Sequence, residues 1–201
     1  MADVEVEHKG DVAWIRLNRE DRMNAFDAEM NRCIVDAIRG ASSSGVIVIT
    51  GTGRAFCAGG YLARLKTADP VAIRSMFYGS LELFDAIRTS PRPIIAAVNG
   101  AAIGGGNELV VACDLAIAAE SATFGQNGVR IGSAPVLGGT NLLAMSIGEK
   151  RTKEVAFLCR RYPAREALAL GWINGVVADD RLEPEVTRWA DELLDMSPRY
   201  L

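Results

Sequence analysis

Residues 94–108 read Ile94-Ile95-Ala96-Ala97-Val98-Asn99-Gly100-Ala101-Ala102-Ile103-Gly104-Gly105-Gly106-Asn107-Glu108. The apolar run from Ile94 to Val98 predicts a buried strand ending at Asn99-Gly100, and the triple glycine opens a helix. Strand, turn and helix in that order make one crossover of a parallel sheet. A glycine-lined helix start offers bare backbone N–H groups to a developing negative charge, and the nearby carboxylate of Glu108 can move a proton. A stabilised anion beside a mobile proton is what enolate chemistry requires.

The same pattern recurs around this stretch. Val4 to Glu7 and Val12 to Leu17 predict a hairpin across Lys9-Gly10-Asp11, and Ala28 to Arg39 has helical spacing at Met30, Ile34, Val35 and Ile38. Val46-Ile47-Val48-Ile49-Thr50 is a second buried strand, ending at Gly51-Thr52-Gly53. A helix follows from Val71 to Arg88, and Leu115 to Ala118 is a third short strand. Beyond Ala134 the chain reads as mainly helical, over Lys150 to Leu158, Ala164 to Leu170 and Pro184 to Leu194. The expectation is an α/β fold with the strand C-termini on one side, so that the ends at Gly51 and Gly100 lie close together. Residues 1–135 form its core and 136–201 a helical C-terminal region. No low-complexity linker divides the chain, and no repeat of fixed period is visible.

Composition narrows the function. With 49% hydrophobic and 23% charged residues in 201, the chain can bury a core. A net charge of -3 and a pI near 5.3, without a dense basic stretch, argue against nucleic acid as a partner. Cys33, Cys57, Cys113 and Cys159 form no Cys-x-x-Cys pair and read as buried free thiols, which fits a reducing, cytoplasmic setting. The acidic N-terminus lacks the apolar segment of a signal peptide, and no run is apolar enough to span a bilayer. His8, the single histidine, lies in the first strand and reads as a surface residue. A histidine-rich metal site is impossible, and the chemistry falls to carboxylates, hydroxyls and backbone dipoles.

The two strand ends carry the candidate chemistry. Gly53-Arg54-Ala55-Phe56-Cys57-Ala58-Gly59-Gly60-Tyr61 follows one, and Asn99 to Glu108 follows the other. Two converging N–H groups there would make an oxyanion hole suited to a thioester carbonyl. Taken singly, either segment is explained by glycines that permit tight turns. Dinucleotide binding is disfavoured, because neither segment has the Gly-x-Gly-x-x-Gly order, and there is no phosphate-loop lysine.

Leu17-Asn18-Arg19 with Met23-Asn24-Ala25, then Phe56-Cys57-Ala58-Gly59-Gly60, Asn99-Gly100 to Glu108, Cys113-Asp114 and Phe124-Gly125-Gln126 together resemble the crotonase, or enoyl-CoA hydratase/isomerase, superfamily. The similarity runs from about Val4 to Ser197. It implies a spiral of ββα units, an acyl-CoA thioester substrate, no further cofactor and assembly as homotrimers or homohexamers. By the same resemblance the oxyanion donors are the N–H groups of Ala58 and Gly105, and Glu108 is one of two acid–base glutamates. Arg22, Arg54, Ala58 and Gly60 would lie against the coenzyme A thioester, although a solvated surface role fits each arginine equally well.

Two departures from the family pattern stand out. The position of the second glutamate is Gly128, and no Asp or Glu occurs between Glu120 and Glu149. The family also carries a further helical segment beyond Leu201 that covers the acyl pocket, so a shortened tail is expected here. Glu108 alone could relay a proton while Ser133, Asn127 or Tyr61 positions water, with Ser133 favoured. Gly132-Ser133 resembles the branch of naphthoyl-CoA synthases and alicyclic oxoacyl-CoA hydrolases. Asp114 reads as structural, and Pro135 stands where the synthases carry an acid, which disfavours cyclisation. The expected activity is that of an enoyl-CoA hydratase-like lyase that adds or removes water or a proton. The alternatives are ring-opening C–C hydrolysis of a cyclic β-oxoacyl-CoA, enoyl-CoA isomerisation, and silent CoA binding.

Overall fold

The computed structural model describes residues 2–61 and 69–197. The chain winds through strand–strand–helix units: β1 (Val4–Lys9), β2 (Val12–Leu17) and α1 (Ala28–Gly40), then β3 (Val46–Gly51), β4 (Ala55–Cys57) and α2 (Pro70–Arg88). Next come β5 (Ile94–Val98), β6 (Ala101–Ile103) and α3 (Gly105–Ala112), followed by β7 (Leu115–Ala119) and β8 (Thr123–Gly125). The remainder comprises α4 (Leu142–Ile147), α5 (Glu149–Leu158), β9 (Tyr162–Pro163), α6 (Ala164–Ala169), β10 (Gly175–Val177) and α7 (Leu182–Leu194).

These strands form two sheets. The larger has six strands in the order β1-β2-β3-β5-β7-β10, parallel except for the β1–β2 hairpin. The smaller has four, β4-β6-β8-β9, with only β9 antiparallel. The first strand of each of the three later units enters the large sheet and the second enters the small one. The spiral of ββα units is therefore present, although only its first strands were legible as apolar runs. β4, β6 and β8 have three residues each, too few to show a period. The mainly helical reading beyond Ala134 also needs correction, because β9 and β10 add a strand to each sheet.

Every residue of β3 and β5 is buried, which explains their unbroken apolar character. One face of the large sheet presents Ile15, Ile49 and Ala96 to Met30, Ile34 and Ile38 of α1 and to Leu83 and Ile87 of α2. The other presents Trp14, Val48 and Ile95 to Leu182, Val186 and Ala190, one stripe of α7. Each such side chain contributes about 1.5–3 kcal/mol on burial. α1 and α2 start on aspartate caps: Asp27 accepts from Met30 N–H, and Asp69 accepts from Val71 and Ala72, ahead of Pro70.

His8 lies on the exposed edge strand β1, 3.4 Å from the Ser44 hydroxyl. All four cysteines are free thiols, but only Cys57 and Cys113 are buried, whereas Cys33 and Cys159 are half-buried. No described helix is long and apolar enough to cross a membrane. Residues 62–68 and 198–201 lie outside the described residues.

The tightest contact joins α3 to the small sheet. A Cβ on Gly106 would fall 1.9 Å from the Cys57 carbonyl oxygen, which is backbone and cannot swing aside. Gly106→Ala is therefore expected to destabilise the protein by about 1–3 kcal/mol through overpacking, read as a lower urea midpoint with an unchanged m-value.

Candidate active site

β4 and β6 run side by side, Ala55 opposite Ala101 and Cys57 opposite Ala102, so the segments that follow them leave the small sheet at the same edge. There the turn at Ala58-Gly59-Gly60 meets the start of α3. Gly59 has φ +89°, and a Cβ on it would lie 2.7 Å from the Gly105 nitrogen, so only glycine allows this approach.

The Met23-Asn24-Ala25 motif is the scaffold of that turn. Buried Asn24 accepts from Arg19 N–H at 2.9 Å and donates to the carbonyls of Thr52 and Ala55 at 2.9 and 2.8 Å, pinning β4. Met23 O accepts from the Ala58 N–H at 3.0 Å. That bond corrects the expected oxyanion pair, because the Ala58 donor is already spent. Two residues on, Phe26 N–H donates to Gly59 O at 2.9 Å and Tyr61 N–H donates to Phe26 O at 2.8 Å. In such a parallel bridge the Gly60 N–H points the opposite way, and it has no acceptor among the described residues. The Gly105 N–H, in the first turn of α3, is likewise without one. Gly60 and Gly105 are thus the available pair.

Both line a cavity of about 100 Å³, together with Glu108, Gln126, Asn127, Gly128 and Ser133, and with Phe26, Met76 and Phe77 as apolar wall. Glu108 is 4% exposed and is the only carboxylate among the described lining residues. Its Oε1 accepts from the N–H groups of Leu137 and Gly139 at 2.8 and 3.0 Å. Oε2 has no hydrogen bond among the described residues. Burial raises the carboxyl above its ordinary range, with the N–H groups of the 137–139 turn pulling the other way. A carboxyl so placed exchanges protons nearer neutral pH than a solvated one.

The other expected residues divide. Ser133 lines the cavity; its N–H donates to Gly128 O at 2.9 Å and its hydroxyl has no described partner. Gly128 lines the same wall with no side chain to offer. Arg22 lies with its guanidinium 4.7 Å from the Tyr61 ring centre, beside the oxyanion turn, and pairs with Asp21 and Asp27 at 3.6 and 3.9 Å. Arg54 is exposed on the turn before β4 and is not among the lining residues. Asp114 is structural as expected, accepting from Ile94 N–H at 2.8 Å. Met76 and Ser80 of α2 were missed. Their i,i+4 spacing marks one helix face, but which face meets the cavity is settled by packing alone.

The profile of the enoyl-CoA hydratase/isomerase family matches residues 7–201. The chain belongs to this family. Among solved structures it is similar to enoyl-CoA hydratase subunit I of Geobacillus kaustophilus, with 38% identity, TM-score 0.91, and 98% of this chain and 77% of that one covered. An enoyl-CoA hydratase of Bacillus anthracis follows at 33% identity and TM-score 0.91, over 98% and 78% of the two chains. DspI of Pseudomonas aeruginosa is 29% identical with TM-score 0.94, over 100% and 83%. The two sheets and their helices are thus the crotonase fold, and membership makes this a crotonase-type acyl-CoA protein.

The raised carboxyl has a consequence for stability. A group whose folded-state pKa lies above its unfolded value binds its proton more tightly in the native protein, so stability falls as pH rises from the ordinary carboxylate range to the raised value. Glu108→Gln is therefore expected to be more stable than wild type, with an advantage that grows across that window and then levels off. Paired urea titrations at pH 5 and 7.5 check this, and an advantage that shrinks with rising pH would contradict it.

Proposed function

We propose that this protein is an enzyme of enoyl-CoA hydratase/isomerase type that generates the enolate of an acyl-CoA thioester. The N–H groups of Gly60 and Gly105 polarise the thioester oxygen, and Glu108 Oε2 takes the proton from the neighbouring carbon and returns it. The observation that carries this reading is a lone buried carboxylate sharing one cavity with two unspent backbone donors. Donors held in place by the fold stabilise a developing oxyanion without reorganising, an effect of about 3–4 kcal/mol per donor.

With Gly128 at the wall, one carboxylate serves both halves of the proton transfer. Moving a double bond needs nothing more. Adding water requires a second group to hold the water, and the free Ser133 hydroxyl supports that step. The same hydroxyl favours a second reading, C–C hydrolysis of a β-oxoacyl-CoA. There, water deprotonated by Glu108 adds to the β-carbonyl, the Cα–Cβ bond breaks, its electron pair becomes the thioester enolate, and Glu108 reprotonates Cα.

The enolate itself is testable. Incubation with butyryl-CoA in deuterated water is expected to place deuterium at the α-carbon, detected by mass, and Glu108→Gln is expected to slow exchange by about 10²–10⁴-fold. Undiminished exchange in that variant would remove Glu108 from the mechanism. Gly60→Pro deletes one N–H and is expected to cost about 10²–10³ in rate with an unchanged circular dichroism spectrum. Full activity in Gly60→Pro would restore Ala58 as the candidate donor.

A further inference from the structure

Cys57 is not among the residues lining the cavity, yet it meets both elements that carry the oxyanion donors. It is fully buried at the end of β4. On one side, the three atoms nearest to a Cβ on Gly106 all belong to Cys57: its carbonyl oxygen, carbonyl carbon and Cβ, at 1.9, 2.6 and 2.9 Å. That contact lies one residue beyond the Gly105 donor. On the other side, Cys57 Sγ accepts from the Gly59 N–H at 3.3 Å, one residue before the Gly60 donor. The same sulfur donates to the Asn24 carbonyl at 3.1 Å.

Every other N–H of the turn is taken. Ala58 donates to Met23, Gly59 to the thiol and Tyr61 to Phe26, so of four consecutive donors only that of Gly60 has no acceptor among the described residues. A side chain that accepts from the N–H two residues on shapes a turn in the way short polar side chains do. To donate at the same time the thiol must keep its proton, and burial pushes it up to about 12, so the S–H persists across the neutral range. Its acceptor is fixed by an uncommon backbone. Met23 and Asn24 are consecutive left-handed residues, at φ 51° and 57°, a conformation that costs energy without glycine and is held by its surroundings. Their carbonyls take the Ala58 N–H and the Cys57 S–H.

We propose that the Cys57 side chain is a positioning residue for the oxyanion site: by bridging the Gly59 N–H and the Asn24 carbonyl, its thiol sets the turn so that the Gly60 N–H converges with that of Gly105. This rests on the reading of Gly60 and Gly105 as donors to an acyl-CoA thioester, and adds what aims one of them. Cys57 acts through the turn and does not touch substrate. A cysteine that merely filled space would behave differently. Packing alone favours Ala over Ser at a site wholly out of water, whereas a hydrogen-bonding role reverses that order.

The test compares wild type, Cys57→Ser, Cys57→Ala and Cys57→Val, each held well below its melting temperature. One readout is the kinetics of deuterium exchange at the α-carbon of butyryl-CoA. The other is the infrared carbonyl stretch of bound butyryl-CoA carrying ¹³C at the thioester carbonyl, which falls as the donors polarise it. Cys57→Ser keeps a donor and an acceptor, and is expected to exchange within about threefold of wild type and to retain the frequency shift. Cys57→Ala is expected to lower kcat by about 10–30-fold with KM within about twofold, and to lose most of the shift. Cys57→Val restores volume without the hydrogen bonds and is expected to follow Cys57→Ala. A shift of wild-type size in both apolar variants, or a Cys57→Ser no more active than Cys57→Ala, would overturn the positioning role and leave the oxyanion reading standing. A wild type that neither exchanges nor shifts the carbonyl would overturn the oxyanion reading itself.

Discussion

The close backbone approach of the turn after β4 to the start of α3 is the constraint on which the site depends. Gly59 touches the Gly105 nitrogen and Gly106 touches the Cys57 carbonyl, at separations no side chain would permit. This contact brings the free N–H groups of Gly60 and Gly105 to one cavity. It also fixes where α3 begins, and so which residue of its first turns reaches that cavity. Had either segment been displaced by the width of a methyl group, the donors would no longer converge and Glu108 would face elsewhere. The parallel pairing of β4 with β6 supplies the coarse alignment, and the Asn24 side chain, anchored to Thr52 and Ala55, holds the first turn against it.

The electrostatics follow from the same geometry. Glu108 is buried at the cavity wall, so its carboxyl is desolvated and retains its proton more readily than a surface glutamate. Its partners are backbone N–H groups of the 137–139 turn, which orient Oε1 without neutralising it. A cation in their place would have held the carboxylate ionised and weakened it as a base. Among the described lining residues there is no second acid, and the polar side chains beside Glu108 are the neutral ones of Ser80, Gln126, Asn127 and Ser133.

Much of this was legible before any coordinates, for identifiable reasons. β3 and β5 are buried on both faces and show continuous apolar runs, while α1 and α7 carry clear one-sided stripes. β4, β6 and β8 escaped notice because three residues cannot display a period, yet these are the strands that deliver the site. In the loop where sequence places an oxyanion donor on Ala58, the N–H left without an acceptor among the described residues is that of Gly60. Ala58 and Gly60 each bring one N–H to the same turn, and only the carbonyl of Met23, remote in sequence, spends one and leaves the other.

The sequence by itself determined the α/β class, the family, the glycine-flanked Glu108 and the absence of its acidic companion at Gly128, because these are properties of residue type and order. The tertiary structure decided which backbone donors are free, that the Glu108 carboxyl is desolvated and cradled by a turn far along the chain, and that the buried Gln126 Nε2 has no partner among the described residues. The physical reason is that hydrogen-bond satisfaction and burial belong to pairs of distant groups. A linear order of residues specifies the donors and acceptors, and only the fold determines which of them have already been used.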